Sequence, residues 1–414
     1  MNSSPRVTSV PPIFWQSVPF IIACGCLIGL LSYGPRGALG LFLTPITESR
    51  EWSRETFALA LAIQNLIWGA AQPIAGMLAD RFGTARILSL GAVIYAAGLV
   101  LTAWAPTPLW LHISAGVMIG LGVAFASFSL VLATFGRVVT PEKRSIAFGL
   151  GTASGSFGQF LFAPLGQALL DGAGWQNALY VMAALLVLIP LFAIPLRGRA
   201  GSEDGSASQQ QTMKQAIQEA FGYRGFLLLT AGFFVCGFHV SFIAVHLPAY
   251  IVDVGLSPVL GAWAIALIGL CNIFGAIGAG FIGNRYSKPI FLSLIYFSRA
   301  IVIALFVLLP VSPATVLIFA AAMGFLWLST IPPTSALVAV MFGPRYMATL
   351  FGFIFFSHQL GSFLGVWLGG KIFDETGSYD AIWWIGVALG LFAAIVHWPI
   401  KDAPMAEVRA AGAA

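Results

Sequence analysis

The sequence predicts an all-α integral membrane protein, with twelve transmembrane helices arranged as two pseudo-symmetric six-helix bundles. Three observations carry that prediction. Of the 414 residues, 59% are hydrophobic and only 8% charged, with a mean hydropathy of +0.91, whereas soluble domains carry roughly 25% charged residues. Apolar runs long enough to cross a bilayer, about 20 residues, recur along the chain. They also fall into two sets of six around one polar segment.

The first set lies at about 17–43, 56–79, 85–104, 109–136, 146–170 and 176–196. The second lies at about 225–251, 259–283, 289–309, 313–341, 346–370 and 380–400. Between them, Arg197 to Gly222 contains Gly201-Ser202-Glu203-Asp204-Gly205-Ser206 and a run of glutamines. Such a composition makes a flexible linker, with a short amphipathic helix expected around Met213–Phe221. The chain therefore divides into an N-terminal bundle (1–196), a cytoplasmic linker (197–222) and a C-terminal bundle (223–414). The first sixteen residues hold one cation, Arg6, and the apolar run after them lacks a small-residue cleavage site. That run is expected to be a retained span rather than a signal peptide.

Charge gives the orientation. With both termini placed inside, only Arg50, Arg54 and Lys371 of the 20 cations fall outside, and Arg36 and Arg299 stay within the membrane. This excess on one side predicts cytoplasmic termini. The net charge of +5 is spread over short loops, which excludes a nucleic-acid surface. Cys24, Cys26, Cys236 and Cys271 all sit in apolar runs, fitting neither a disulfide framework nor a zinc spacing. No metal and no cofactor is expected.

The halves repeat weakly. Leu43-Thr44-Pro45 ending the first span echoes Leu247-Pro248 ending the seventh. Gly155-Ser156-Phe157 echoes Gly361-Ser362-Phe363, and Arg144 echoes Arg345. Near-constant offsets over a whole half indicate duplicated six-helix units, the layout of rocking transporters.

The strongest local signal is Gly76-Met77-Leu78-Ala79-Asp80-Arg81-Phe82-Gly83-Thr84-Ala85-Arg86, between the second and third spans. Gly76 permits close helix approach, Gly83 supports a tight turn, and Asp80 can cap a helix or pair with an arginine. The stretch resembles the G-x-L-A-D-R-x-G-x-x-R loop of the major facilitator superfamily. That resemblance implies a conformational latch at Gly76, Asp80, Arg81, Gly83 and Arg86. The corresponding second-half stretch, Gly280-Phe281-Ile282-Gly283-Asn284-Arg285, has an asparagine in the acid's place, which implies a weaker second latch. The glycines of the fifth span (Gly149, Gly151, Gly155, Gly158, Gly166) are also similar to the family's, and read as close-packing positions. The family's fourth-span arginine before G-x-x-x-G is absent from His112–Gly120, which argues against the usual proton-antiport mechanism. Trp52-Ser53-Arg54 leading into the second span looks like bacterial relatives of the monocarboxylate and oxalate:formate transporters. The resemblance implies a small organic anion as cargo and the inner membrane of a bacterium as location. The acid-glycine pattern of monocarboxylate transporters is replaced by Tyr33-Gly34-Pro35-Arg36, and their eighth-span Asp/Arg pair is missing, with Asn272 in that span.

Arg36 and Arg299 are costly in hydrocarbon, roughly 3 kcal/mol each on insertion scales. Every carboxylate maps to a helix end or loop, so neither arginine has an acid to meet, and a site of this kind suits an anion. His239, His246 and His358 lie at similar depth; the first two are seven apart and share a helical face. The half-chain offset makes His239 the counterpart of Arg36, predicted to face it across a central cavity. Histidine is the candidate proton carrier, since its pKa lies near physiological pH. Tyr33, Gln64, Asn272, Gln359 and Trp327 complete the candidate substrate-binding set. Beside Trp327, Pro332-Pro333 is expected to break the tenth span, as a hinge or a source of free carbonyls.

The reading is a secondary active transporter, not an enzyme, moving a small organic anion of monocarboxylate type by alternating access. Its expected partners are that anion, the bilayer and, if coupled, protons, with a monomer as the functional unit. An exporter of amphipathic compounds or drugs is the alternative transporter, and a non-transporting receptor the alternative of another class.

Overall fold

A computed structural model describes residues 17–197, 212–343, 346–405 and 407–408. The linker stretch 198–211 and Arg345 of the half-chain echo lie outside the described residues. Each apolar run folds as helix, and among the described residues there is no strand.

Helix α1 (Val18–Ala38) passes through a 3-10 turn (Leu39–Phe42) into α2 (Leu43–Arg50). Helix α3 (Arg54–Phe82) starts where the Ser53 hydroxyl accepts the Thr56 N–H at 3.2 Å, a side-chain cap of the usual kind. It ends at Gly83, whose φ of 97° turns the chain into α4 (Thr84–Trp104). A side chain would be strained at that φ. The fourth span is α5 (Pro108–Leu111), a π-helical turn (His112–Met118) and α6 (Ile119–Phe125), continued by α7 (Phe128–Val138). Gly116 and Gly120 bring this segment against the Ala60 and Gln64 carbonyls of α3.

Helix α8 (Pro141–Leu186) is 46 residues long and broken at Gly174 (φ 78°, ψ 163°). At 1.5 Å per residue it would reach about 70 Å, twice the thickness of a bilayer. It therefore supplies the fifth span and, with α9 (Ile189–Ala193), the sixth. Among the described residues, eleven apolar segments, one of them holding two spans, thus make the twelve predicted spans. In the linker, α10 (Met213–Phe221) is the expected short helix, closed by a Thr212/Gln215 capping box.

The second half runs α11 (Arg224–Asp253), α12 (Pro258–Arg285), α13 (Lys288–Leu308), α14 (Pro313–Leu326), α15 (Ile331–Phe342), α16 (Met347–Thr376) and α17 (Asp380–His397). The tenth span breaks at Trp327–Thr330, one step before Pro332-Pro333 rather than at it. The prolines occupy the first turn of α15, where a missing N–H leaves no hydrogen bond unmade.

The duplication shows in packing. Gly158 of α8 lies against the Leu30 carbonyl of α1, and Gly361 of α16 against the Phe234 carbonyl of α11. It is the same close approach, one half-chain later.

Among the described residues, glycine contacts between the halves lie at one end and in the middle. At the far end from the Gly76–Arg86 loop, Gly40 abuts Ala244 and Val245, and Gly370 abuts Arg54, Glu55 and Ala58. At mid-depth, Gly69 touches Gln359 and Gly269 touches Ser156 and Phe160. Two helical turns further on, on the same faces, Gly76, Gly149 and Gly352 have no described atom within 4 Å of where a side chain would begin. The halves are closed at the far end and part toward the loop end.

Candidate functional site

Arg36 lies on the last turn of α1, half-buried where the halves begin to part. Its Nη2 donates to Asn65 Oδ1 at 2.5 Å, and its Cζ stands 4.6 Å over the Trp68 ring. Its Nε has no partner. No ion pair among the described residues involves it. Pro35 and Gly34 are buried beside it, and a side chain at Gly34 would run into the Phe162 ring.

Asn65, absent from the sequence-based set, is the residue that orients Arg36. Its Nδ2 is fixed on the Leu61 carbonyl at 3.0 Å, which turns Oδ1 toward the guanidinium. Gln64 was expected near Arg36 as a substrate-binding residue, but it points the other way and donates to the Ala115 carbonyl of the π-helical turn at 3.0 Å. The signal was available in helical spacing. Ala58, Asn65, Gly69 and Gly76 lie along one stripe of α3, and Gln64 lies a full 100° from Asn65.

Across the interface, Gln359 donates from Nε2 to the Asn65 carbonyl at 3.1 Å, and its Oε1 is 3.1 Å from His358 Nδ1. An amide oxygen only accepts, so His358 carries its proton on Nδ1 and leaves Nε2 as the basic nitrogen. Phe355 stacks on the His358 ring, with centroids 5.8 Å apart. The structure thus brings together Arg36, Tyr33, Gln359 and His358 of the expected set, and adds Asn65, Trp68 and Phe355.

Besides Gln64, five expected residues sit elsewhere: His239, His246, Arg299, Trp327 and Asn272. His239 does not face Arg36. It is 1% exposed, and its Nε2 lies 2.8 Å from the Gly386 carbonyl of α17. His246 is held by the Val366 carbonyl (2.8 Å from Nε2) and the Tyr379 hydroxyl (3.1 Å from Nδ1). The two histidines share a face of α11, as their spacing predicts, but that face turns toward α16 and α17. The face meeting the first half carries Ala244 and Val245 instead. Arg299 is fully buried. It donates to the Leu326 carbonyl from Nη2 at 2.6 Å and from Nε at 3.2 Å, and to the Trp327 carbonyl at 2.5 Å. It is therefore a clamp on the break between α14 and α15, taking up carbonyls that the broken helix cannot. Trp327 contributes that carbonyl, while its side chain is 5% exposed.

Asn272 joins the halves rather than facing open space. It donates to Ser156 Oγ at 2.8 Å and accepts the Leu328 N–H at 2.9 Å. Asn272→Leu is expected to cost about 2 kcal/mol of stability, since both partners are left unsatisfied. Ser156→Ala removes only the bond between halves and should cost about half that; thermal denaturation of the two variants compares them.

At the far end, Arg54 binds Asp253 through Nη1 (2.5 Å) and Nη2 (2.7 Å), with Nη1 also 3.1 Å from Tyr379 Oη. Its Cζ lies 3.8 Å over the Phe373 ring. Asp374 accepts the Arg54 and Glu55 N–H groups at 3.1 and 2.6 Å, placing an anion on the N-terminus of α3. Trp367 Nε1 donates to Glu55 at 2.9 Å. Burial holds the Tyr379 phenol above its usual pKa, so it stays protonated and can donate to His246 Nδ1. These contacts make one clasp between the halves.

At the loop end, Arg81 lies over the Phe82 ring at 5.2 Å. Arg137 donates to Thr84 and Thr134 at 2.8 and 3.0 Å, with Asp80 as the nearby acid. Arg86 lines a groove of about 710 Å³ with Arg197 and Ser89. None of these contacts reaches the second half, while Gly76 faces open space.

Twelve spans in two echoing sets, closed at one end, with a half-buried arginine where the sets begin to part, define a membrane transporter. Residues 25–366 match the Major Facilitator Superfamily, and the chain belongs to that family. It is 26% identical to the MFS-type transporter YcxA of Bacillus subtilis over 98% of both chains. It is 27% identical to monocarboxylate transporter 11 of Mus musculus (91% of this chain, 86% of the relative) and 25% identical to monocarboxylate transporter 13 of Rattus norvegicus (85% and 81%). Among solved structures, it is similar to the inward open xylose transporter XylE from E. coli, with TM-score 0.73 at 15% identity, covering 95% of this chain and all of that one. It is also similar to an inward-facing bacterial homologue of the human lysosomal transporter Spinster, with TM-score 0.72 at 17% identity and 94% of both chains covered.

Proposed function

We propose that this transporter moves a small organic monoanion, a carboxylate, by alternating access. Arg36 is the observation that carries the reading. It is a permanent cation at mid-depth whose protein contacts are one neutral amide oxygen and one ring face, with Nε left free. A carboxylate arriving between the halves meets that charge where water is scarce and the interaction is strong. The monocarboxylate transporters among the relatives support the same substrate class.

Arg36 is the carboxylate ligand, with Asn65 and Trp68 setting its direction and Tyr33 beside it. The Asn65–Gln359–His358 chain ties this ligand to the second half, so occupancy of Arg36 is felt across the interface. His358 is the proton carrier if protons are coupled, because it sits beside Gln359 at the contact between the halves, whereas His239 and His246 are turned into the second half. The two six-helix bundles rock as units, with Arg54–Asp253 as the outer clasp and the Gly76–Arg86 loop as the inner latch. The cation asymmetry supports cytoplasmic termini in a bacterial inner membrane, so the open end faces the cytoplasm. The protein works as a monomer.

Purified protein should be stabilised by a binding carboxylate through mass action. A thermal-shift screen of carboxylates is expected to give hits that Arg36→Gln weakens at least tenfold, the value of one charge-assisted contact. Hits that survive Arg36→Gln at parent affinity would remove Arg36 from the site.

A further inference from the structure

The rings around Arg36 form an unbroken series across the interface. Phe128 of α7 meets Tyr33 of α1 edge-on at 6.4 Å, Tyr33 meets Trp68 of α3 at 5.9 Å, and Trp68 meets Phe355 of α16 at 5.4 Å. Phe355 then stacks on His358, with planes 9° apart. Four helices from both halves each contribute a ring, and the guanidinium lies over the central one. Phe128, Tyr33 and Phe355 are all partly exposed, at the depth where the faces carrying Gly76 and Gly352 begin to part.

The polar groups nearby are largely spent on one another. Asn65 and Gln359 have their amides fixed, and Gln72 bridges the Ser127 and Ser129 hydroxyls at 2.9 and 2.6 Å. Among the described residues near the site, Arg36 Nε and the Tyr95 hydroxyl of α4 are the buried donors without a partner, and only Arg36 is charged. Such a site offers one anion contact and a wall of ring faces and edges. It offers little to the second carboxylate of a diacid or to the hydroxyl of a hydroxy acid, whose unpaired polar group would cost affinity.

Resting on the carboxylate reading above, we infer that the preferred cargo is an aryl or heteroaryl monocarboxylate. Its carboxylate sits on Arg36, and its flat ring sits among Tyr33, Trp68, Phe128 and Phe355. Edge-to-face contacts with two or three rings favour an aromatic body over a saturated one of equal size by about five- to tenfold.

The probes are phenylacetate, cyclohexylacetate and propionate, titrated onto the purified full chain by calorimetry. Parent protein is expected to bind phenylacetate at least fivefold tighter than cyclohexylacetate, and propionate weakest. The phenyl-to-cyclohexyl ratio should fall toward one in Phe355→Leu and in Trp68→Leu; two variants are used because either alone can lose its fold. Equal affinity for the phenyl and cyclohexyl acids in the parent, or a ratio unmoved by both variants, overturns the aryl preference. In that case the carboxylate reading stands if Arg36→Gln still abolishes binding of the saturated acids. Failure of all three acids to bind the parent overturns both.

Discussion

Arg299→Ala is expected to lower the melting temperature by about 10 °C and to remove most of the folded yield. The side chain is fully buried and makes three hydrogen bonds to the Leu326 and Trp327 carbonyls. In hydrocarbon these carbonyls have no water to turn to. Leaving them unsatisfied costs about 3–5 kcal/mol, and a domain of this size shifts by a few degrees per kcal/mol. Lysine at 299 carries the charge but not the planar fork, so Arg299→Lys should fall between parent and alanine. Thermal denaturation in detergent, followed by uptake in proteoliposomes from whatever protein survives, separates the two possible roles. An alanine variant with parent stability and no uptake would return Arg299 to the cargo site.

Arg54→Ala is expected to open the far end. It removes a bidentate bridge to Asp253, a bond to Tyr379 and a contact with the Phe373 ring, all of which join the halves only in the closed-far-end arrangement. A loss of about 2 kcal/mol shifts the balance between the two arrangements some thirtyfold. Ala58 on α3 is fully buried against Gly370 and reports on this. In a background without the four native cysteines, Ala58→Cys should resist a membrane-impermeant maleimide in parent protein and react once Arg54→Ala is added. Uptake should fall as well, because a transporter held at one end cannot cycle. Unchanged labelling would mean that helix packing closes the far end and the charged clasp adds nothing. Adding Asp374→Ala should enlarge the effect, since Asp374 accepts both Arg54 and Glu55 N–H groups.

The two intramembrane arginines are alike in the sequence, each an isolated cation in an apolar run with no carboxylate in its span. Their roles diverge only through what the fold places beside them. Arg299 meets carbonyls released by a helix break one span away. Arg36 meets Asn65 and Trp68 from α3 where the halves begin to part; each arginine keeps one nitrogen without a partner, Nε in Arg36 and Nη1 in Arg299. Hydropathy reports the cost of burying a charge but not its partner, because partners come from other helices. The same limit explains His239. Its spacing from His246 gave the shared face of α11 correctly, while the direction of that face depends on how α11 docks against α16 and α17. Gln64 and Asn65 differ by one position, and helix rotation about its axis decides between them.

The sequence by itself determined the spans, their number, the duplication, the loop between α3 and α4, and the short linker helix. All of these are written in local composition, in periodicity and in residues such as Gly83 whose backbone geometry few others can adopt. Tertiary structure alone decided which polar groups meet: the Asn65–Gln359 bridge, the Arg54 clasp, the Asn272–Ser156 bond and the ring series through Trp68. Each joins residues far apart in the chain. In a bilayer, such pairings follow from which helix faces can approach closely and satisfy one another's donors and acceptors.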